Sequence, residues 1–184
     1  MKKMFWMILI LALIVVVSGL AYIKNNDINK PSGTNEINEF NKGNENLPVQ
    51  KFTFGPNINE AEVSEETKRE LQEHINALGE VEKDNISFNG FSAKFREDGA
   101  LVLSVFVRNG YSYSVYDIDA KVDIKKNGEV IASANFNLTE KDFGVLNAKE
   151  SRVWNLVYEN EHILNKNVEL KEYVLEYSTK FNKK

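Results

Sequence analysis

Few side chains in this chain are of the types that carry out catalysis. It has two histidines, His74 and His162, and no cysteine. Without cysteine, thiolate nucleophiles, disulfides and Cys-ligated zinc or Fe–S centres are excluded. The sequence also lacks a serine nucleophile elbow, a glycine-rich phosphate loop and an HExxH helix. We therefore expect a protein that is not an enzyme, with no cofactor and no metal site.

Three aspartates, Asp117, Asp119 and Asp123, are the best remaining candidates for acid–base chemistry or calcium binding. They alternate with apolar residues, so they lie on one face of a predicted strand, where neighbours at i and i+2 such as Asp117 and Asp119 are about 6.8 Å apart. Lys121 is interleaved with them. Calcium binding usually needs loop oxygens nearby as well, so this pattern is more typical of a solvated face.

Two tyrosines, Tyr111 and Tyr113, are the candidate binding residues. They flank Ser112 directly after Asn109-Gly110, a pair that favours a turn. Exposed aromatic side chains in a loop are common in recognition sites, because they present a rigid area at low entropic cost. The alternative is that both rings plug one end of the fold.

The charge of the chain argues against nucleic acid as a partner. The formal net charge is -4, and 23 basic residues are scattered among 27 acidic ones. Such a distribution supplies no positive field for a polyanion.

The N-terminus predicts a membrane segment at residues 1–23. After Lys2 and Lys3, the run that begins at Phe5 and ends at Ile23 contains no charge and is long enough to cross a hydrocarbon core of about 30 Å. The positive-inside rule then places the bulk of the chain outside the cell. The length of the run favours an uncleaved signal anchor, while cleavage after Ala21 would give a secreted protein.

The next predicted regions are a flexible linker at 24–59 and a folded domain at 60–184. The linker is rich in asparagine and keeps no helical or strand period, so it cannot bury enough apolar area to offset its chain entropy. The domain opens with a helix at 64–78, capped by Ser64 and ended by Gly79. His74 lies beside its narrow apolar stripe and is interpreted as an ordinary half-buried histidine.

The rest of the domain has the period of two that is typical of β-strands. From Tyr116 onward apolar and charged residues alternate, Asn127-Gly128 predicts a type I′ turn, and the alternation resumes from Val130. The change of phase around Gly90 predicts a bulge. Six or seven strands over about a hundred residues predict a mainly β fold, an immunoglobulin-like antiparallel β-sandwich with a short N-terminal helix.

Two strands in this pattern are apolar on both faces. In the strand around 101–107, Val102 and Phe106 make the outer face apolar, and the helix is the available cover. Trp154, Leu156 and Tyr158 share one phase of another strand, and we expect Trp154 in the core. A final strand around 173–179 precedes a basic tail.

These segments resemble the SLAP domain of Gram-positive bacteria over about residues 65–180. The features that carry the resemblance are the run VFVRNG, the hairpin NGEVIA and the run N-A-x-x-S-R-x-W, which begin at Val105, Asn127 and Asn147. The chain departs from the family at Leu78-Gly79 and in the tyrosine-rich stretch 111–116, positions where proline is common. The resemblance implies an exported, non-catalytic cell-surface domain and brings no catalytic residues.

Two functions of different classes remain open. The first is an interaction module that associates with the cell envelope, with a wall polymer, an S-layer protein or an accessory secretion component as its partner. The second is a structural spacer without a dedicated ligand.

Overall fold

The structure is a computed structural model that describes Gln50–Lys184. The predicted membrane segment and linker residues 24–49 lie outside the described residues. Within 50–184, no helix is both long and apolar enough to cross a membrane. The strands are β1 (Lys51–Thr53), β2 (Ile86–Phe95), β3 (Leu101–Asn109), β4 (Val115–Lys126), β5 (Glu129–Leu138), β6 (Glu150–Tyr158) and β7 (Val174–Lys183). The helix α1 is Glu65–Ala77, and short 3-10 helices lie at Glu60–Glu62 and Asn160–His162.

The strands form two sheets, so the described part of the chain is mainly β with little helix. One sheet has the order β1-β6-β3-β2, and the other has the order β5-β4-β7. The β1–β6 pair is parallel and every other pair is antiparallel. We call these the four-stranded sheet and the three-stranded sheet.

Both sheets contribute to one hydrophobic core. Its residues come from alternate positions of the strands and include Leu103, Val105, Val122, Ile124 and Leu156, all fully buried. Alternation places one side of each strand inward, and the burial of this apolar area is the main stabilisation of the fold.

A hydrogen bond between the sheets fixes their pairing. Tyr158 of β6 donates its hydroxyl to the carbonyl oxygen of Val122 in β4, at 3.2 Å. Burial raises the pKa of the Tyr158 hydroxyl, so it stays a donor.

The predicted hairpin is present as β4 and β5. Asn127 and Gly128 have φ of 52° and 85°, which a type I′ turn requires at both central positions. The predicted phase is wrong at the start of β4, where Asp117 has φ of 48° and a bulge shifts the register with β7. The bulge turns Val115 into the core and leaves Tyr116 half-buried.

The bulge predicted at Gly90 is also present. The register between β2 and β3 shifts between Gly90 and Ser92. Ile86 and Phe88 face the core before the shift, and Phe91 lies on the opposite side of the sheet. A Cβ added at Gly90 would lie 2.6 Å from the hydroxyl oxygen of Tyr173, so a larger residue here would displace the end of that side chain.

Helix α1 covers the outer face of the four-stranded sheet. Ser64 caps it by accepting a hydrogen bond from Thr67 N at 3.1 Å, within one residue of the predicted start. The imidazole of His74 lies 6.1 Å from the ring of Phe106, which is fully buried. The expectation that the helix covers the apolar outer face of β3 is therefore confirmed at Phe106, whereas Val102 is half-buried.

Two boundaries and the burial of one residue differ from those expected. Residues 51–53 were assigned to the linker, but they form β1 and pair with Glu150, Ser151 and Arg152 of β6. The last strand extends to Lys183 instead of ending in a free basic tail. Trp154 is only half-buried and packs edge to face on Phe143, with 5.3 Å between ring centroids.

Candidate functional site

The loop between β3 and β4 carries the predicted binding residues Tyr111 and Tyr113. Their rings stack on each other, with 4.8 Å between centroids and 28° between planes. Both are half-buried, and the Tyr111 ring also packs against Phe181 of β7 at 5.2 Å. The residue between them, Ser112, is exposed. The structure therefore brings the two tyrosines together, half-buried and packed against the hydrophobic core.

A cation completes this surface. The Lys183 ammonium nitrogen lies 4.3 Å from the centroid of the Tyr113 ring, within the range of a cation–π contact. Burial, followed by the neighbouring Tyr113 and Asp84, raises the pKa of the Tyr111 hydroxyl, so it remains protonated and can donate. We call Tyr111, Ser112, Tyr113 and Lys183 the tyrosine surface.

The side chain of Asn109 holds this loop in shape from below. It is fully buried at the end of β3, and its Oδ1 accepts from Tyr111 N at 2.9 Å. Its Nδ2 lies 2.9 Å from the carbonyl oxygen of Tyr113 and 3.0 Å from that of Leu146. One amide thus ties both tyrosines to the neighbouring loop, which preorganises the surface.

The glycine after Asn109 is required by packing. A Cβ at Gly110 would lie 2.0 Å from the carbonyl oxygen of Glu82. Gly110 N donates to Asn85 O at 2.9 Å, and Gly110 O accepts from Asp84 N at 3.2 Å. The segment before β2 is therefore locked against the start of the tyrosine loop.

A second polar cluster was not found by sequence reasoning. Gln50, Arg108 and Ser151 are at most 3% exposed, and Gln50 Oε1 accepts from Arg108 Nε and Ser151 Oγ, each at 2.6 Å. Arg108 also donates to the carbonyl oxygen of Gly79 just beyond α1. We call Gln50, Arg108 and Ser151 the Gln50 cluster, and its contacts join β1, β3, β6 and the end of α1.

A neighbouring arginine fixes the connection before β6. Arg152 donates to the carbonyl oxygen of Phe143 and to Thr53 Oγ1, the latter at 3.1 Å. Its guanidinium lies 5.0 Å from the centroid of the Phe143 ring. Burial lowers the pKa of both Arg108 and Arg152. Arg108 and Arg152 lie in the sequence runs VFVRNG and N-A-x-x-S-R-x-W. Their burial was not predicted, because arginine in a strand is ordinarily exposed to solvent.

The three aspartates of β4 have separate partners. Asp117 accepts from Glu140 N at 2.7 Å, Asp119 from Asn137 at 2.5 Å, and Asp123 from Ser133 at 2.6 Å. Asp117 lies in the bulge and so leaves the regular face on which it was expected. Within 50–184, no group of three or more acidic or histidine side chains is arranged to hold a metal ion.

The two histidines lie on different elements. His74 is in α1 against Phe91 and Phe106, whereas His162 ends the 3-10 helix after β6 with its side chain 44% exposed. Each is accounted for by its local packing, and the structure does not place either in the tyrosine surface.

Comparison with known proteins gives one finding on the family. No curated protein matches this chain. The SLAP domain family matches residues 53–179, from the last residue of β1 into β7. The match includes the tyrosine surface up to Tyr113, Asn109 and the two buried arginines. Because it covers most of the chain, this protein belongs to the SLAP domain family.

Proposed function

We propose that this protein is a non-catalytic module of the cell envelope, which associates with an envelope component through the tyrosine surface. The family supports this role, since the SLAP domain is a cell-surface, S-layer-associated type of domain. The N-terminal sequence supports it as well, because residues 5–23 have the length and composition of a membrane anchor.

The observation that carries the proposal is the stacked pair Tyr111 and Tyr113 on a loop held by buried Asn109. Aromatic rings that are partly open and already fixed lose little entropy when a ligand packs on them. Lys183 adds a positive charge over the ring of Tyr113. This combination suits the face of a sugar ring or a planar peptide group next to an anion, which wall polymers and envelope proteins both offer.

The two-sheet arrangement supports the finer description of an immunoglobulin-like sandwich. Seven strands are divided four and three, and the hydrogen bond from Tyr158 to Val122 connects the sheets across one core. In such folds the loops at the ends carry recognition, and the tyrosine surface lies in a loop of this kind.

Binding is tested by blocking the surface without removing its packing. Ser112→Trp adds a bulky ring at the exposed position that separates the two tyrosines in sequence, so we expect loss of co-sedimentation of the full-length chain, in detergent, with purified cell-wall sacculi. Asn135→Trp, at an exposed position of β5, is the matched control and should bind like the unmodified chain. A parallel assay with the protein fraction of the envelope separates a polymer ligand from a protein ligand.

Two outcomes would contradict the proposal. If Ser112→Trp binds as well as Asn135→Trp, the tyrosine surface is not the contact. If the unmodified chain associates with neither fraction, the spacer function is the better account, and the tyrosines serve as end plugs of the fold.

The topology is tested on intact cells. External protease should digest the chain beyond residue 24, and the fragment that contains residues 5–23 should remain in the membrane. If the chain is fully protected in intact cells and is digested only after lysis, the exported location is wrong.

A further inference from the structure

The edge of each sheet decides which surfaces of this fold can pair with another strand. An edge strand exposes unpaired backbone groups, and proteins usually block such edges. In the four-stranded sheet, the edge of β1 is blocked by Gln72 of α1, which accepts from Phe52 N at 2.9 Å and donates to Gln50 O at 2.8 Å. The side-chain amide of Gln72 thus takes the place of a neighbouring strand.

Two of the other edges are also protected. On β5, Leu164 N and Asn165 N both donate to Ile131 O, at 2.9 and 3.2 Å. On β2, the bulge between Gly90 and Ser92 interrupts the strand in the middle.

The edge of β7 is neither covered by a neighbouring segment of the described residues nor interrupted by a bulge. β7 is ten residues long and pairs with β4 on one side, and no residue of the described segment 50–184 pairs with its other side. The register irregularity between the two strands lies in β4, so β7 itself is regular. Its inward side chains are only half-buried although they are large and apolar at three of four positions: Leu175, Tyr177, Thr179 and Phe181. A long, regular edge with incompletely covered apolar residues is suited to strand addition.

The charges on the solvent face of β7 identify what fits there. Glu176 lies opposite Asp123 of β4, and its carboxylate is paired with the ammonium nitrogen of Lys125 at 2.6 Å. Lys180 lies opposite Asp119. Glu176 and Lys180 are each two residues from Ser178, so the strand is complementary in charge to itself when it runs in the opposite direction.

We propose that the edge of β7 pairs antiparallel with β7 of a second copy of this chain, with Ser178 on the two-fold axis. Glu176 of each copy then lies directly opposite Lys180 of the other. The two three-stranded sheets join into one sheet with the order β5-β4-β7-β7-β4-β5. A two-fold axis makes the contact self-complementary and closed.

The register follows from the charges. Pairing centred one residue on either side of Ser178 does not bring Glu176 opposite a lysine. Centred at Tyr177, it places Glu176 opposite Ser178, and centred at Thr179 it places Glu176 opposite Asn182. Centring at Ser178 is also compatible with pairing along almost all of Val174–Lys183.

A cysteine on the axis tests the pairing, because the chain has no cysteine of its own. The full-length Ser178→Cys chain in membranes should form a disulfide-linked dimer when an oxidant is added, since directly opposed Cα atoms in an antiparallel pair are about 4.5–5.5 Å apart. Asn182→Cys is the matched control on the same strand. Its two copies would be about 26 Å apart in this register, at about 3.3 Å per residue, so it should give only background cross-linking.

Charge reversal tests the register. In the Ser178→Cys background, Glu176→Lys alone and Lys180→Glu alone each place two like-charge pairs across the axis, so each should lower cross-linking to the Asn182→Cys level. Mixing these two variants restores both opposite-charge pairs, and cross-linking between them should return. The melting temperature of each variant checks that the fold is retained.

Three outcomes would overturn this proposal. The first is cross-linking of Ser178→Cys no greater than that of Asn182→Cys. The second is cross-linking that both single charge reversals leave unchanged, and the third is a mixture that fails to recover it. None of these readouts depends on binding to the envelope, so the proposal stands or falls separately from the function of the tyrosine surface.

Discussion

The outer faces of the two sheets differ, although both belong to strands with the same alternation. On the four-stranded sheet, α1 covers the outer face, and Phe106, Ser104 and Arg108 are buried there. On the three-stranded sheet, the outer face carries charged residues such as Lys121 and Glu176, whose side chains are 55% and 58% exposed. The outer face of β3 is thus largely buried, whereas the outer face of the three-stranded sheet carries exposed charged residues.

This difference explains why a buried arginine, Arg108, has a structural role in this fold. Covering the outer face of β3 removes Arg108 from water, and its donors must then be satisfied by protein groups. Gln50 and the carbonyl oxygen of Gly79 supply the acceptors, and they come from either side of α1. The arginine therefore couples the position of the helix to that of β1.

The largest effect that tests this comparison is expected for Phe106→Ala. Phe106 is fully buried between β3 and α1, and a buried Phe truncated to Ala costs about 3–5 kcal/mol in free energy of unfolding. Lys121→Ala, at an exposed position on the outer face of β4, should change it by less than about 0.5 kcal/mol. Chemical denaturation measures the free energy of unfolding of both variants. Equal losses would show that α1 does not bury the outer face of β3.

The alternation in sequence was sufficient to predict the hairpin of β4 and β5 and the existence of the last strand. One face of β4 is charged and the other apolar, so the strand, its direction and the Asn127-Gly128 turn could all be assigned. The cover on β3 followed from Val102 and Phe106, because an apolar outer face must be buried by something. These inferences need only local pattern and the cost of exposed apolar area.

Features that depend on distant pairing could not be predicted. β1 has three residues and pairs in parallel with β6, so no local period marks it. The burial of Arg108 depends on Gln50, 58 residues away in sequence. The bulge at Asp117 could not be predicted, because Tyr116 and Val115 are both apolar and either could have been the inward residue. For the candidate site, the sequence predicted the residues Tyr111 and Tyr113, while the support from Asn109 appeared only in the structure.

A smaller effect is expected when the Gln50 cluster is broken. Arg108→Met keeps the aliphatic stem but leaves the Gly79 carbonyl oxygen without this donor, and one unsatisfied buried group costs about 1–3 kcal/mol. Arg96→Met is the matched control, because Arg96 is 46% exposed and paired with Asp98 at the surface. Removing this surface ion pair should lower the free energy of unfolding by at most about 1 kcal/mol. Thermal unfolding measures the loss of stability in both variants. An equal loss would mean that the Gln50 cluster stabilises the fold no more than a surface ion pair does.

The smallest effect is a dependence of stability on pH that arises at the covered face. Burial under α1 lowers the pKa of His74 below its ordinary value of 6.5, and Glu70 opposes the shift only in part. The unfolded chain therefore binds this proton more readily than the folded chain does. The stabilisation is fully present above about pH 6.5 and is lost as the pH falls through the lower pKa of the folded state.

The free energy of unfolding of the unmodified chain and of His74→Gln, measured between pH 7.5 and 5, isolates this contribution from that of the carboxylates. We expect the difference between the two chains to change with pH just below 6.5. Glu70→Gln removes the opposing charge, so it should extend the affected pH range downward. Parallel curves for His74→Gln and the unmodified chain would show that water reaches His74, and that α1 covers β3 less tightly than the burial of Phe106 indicates.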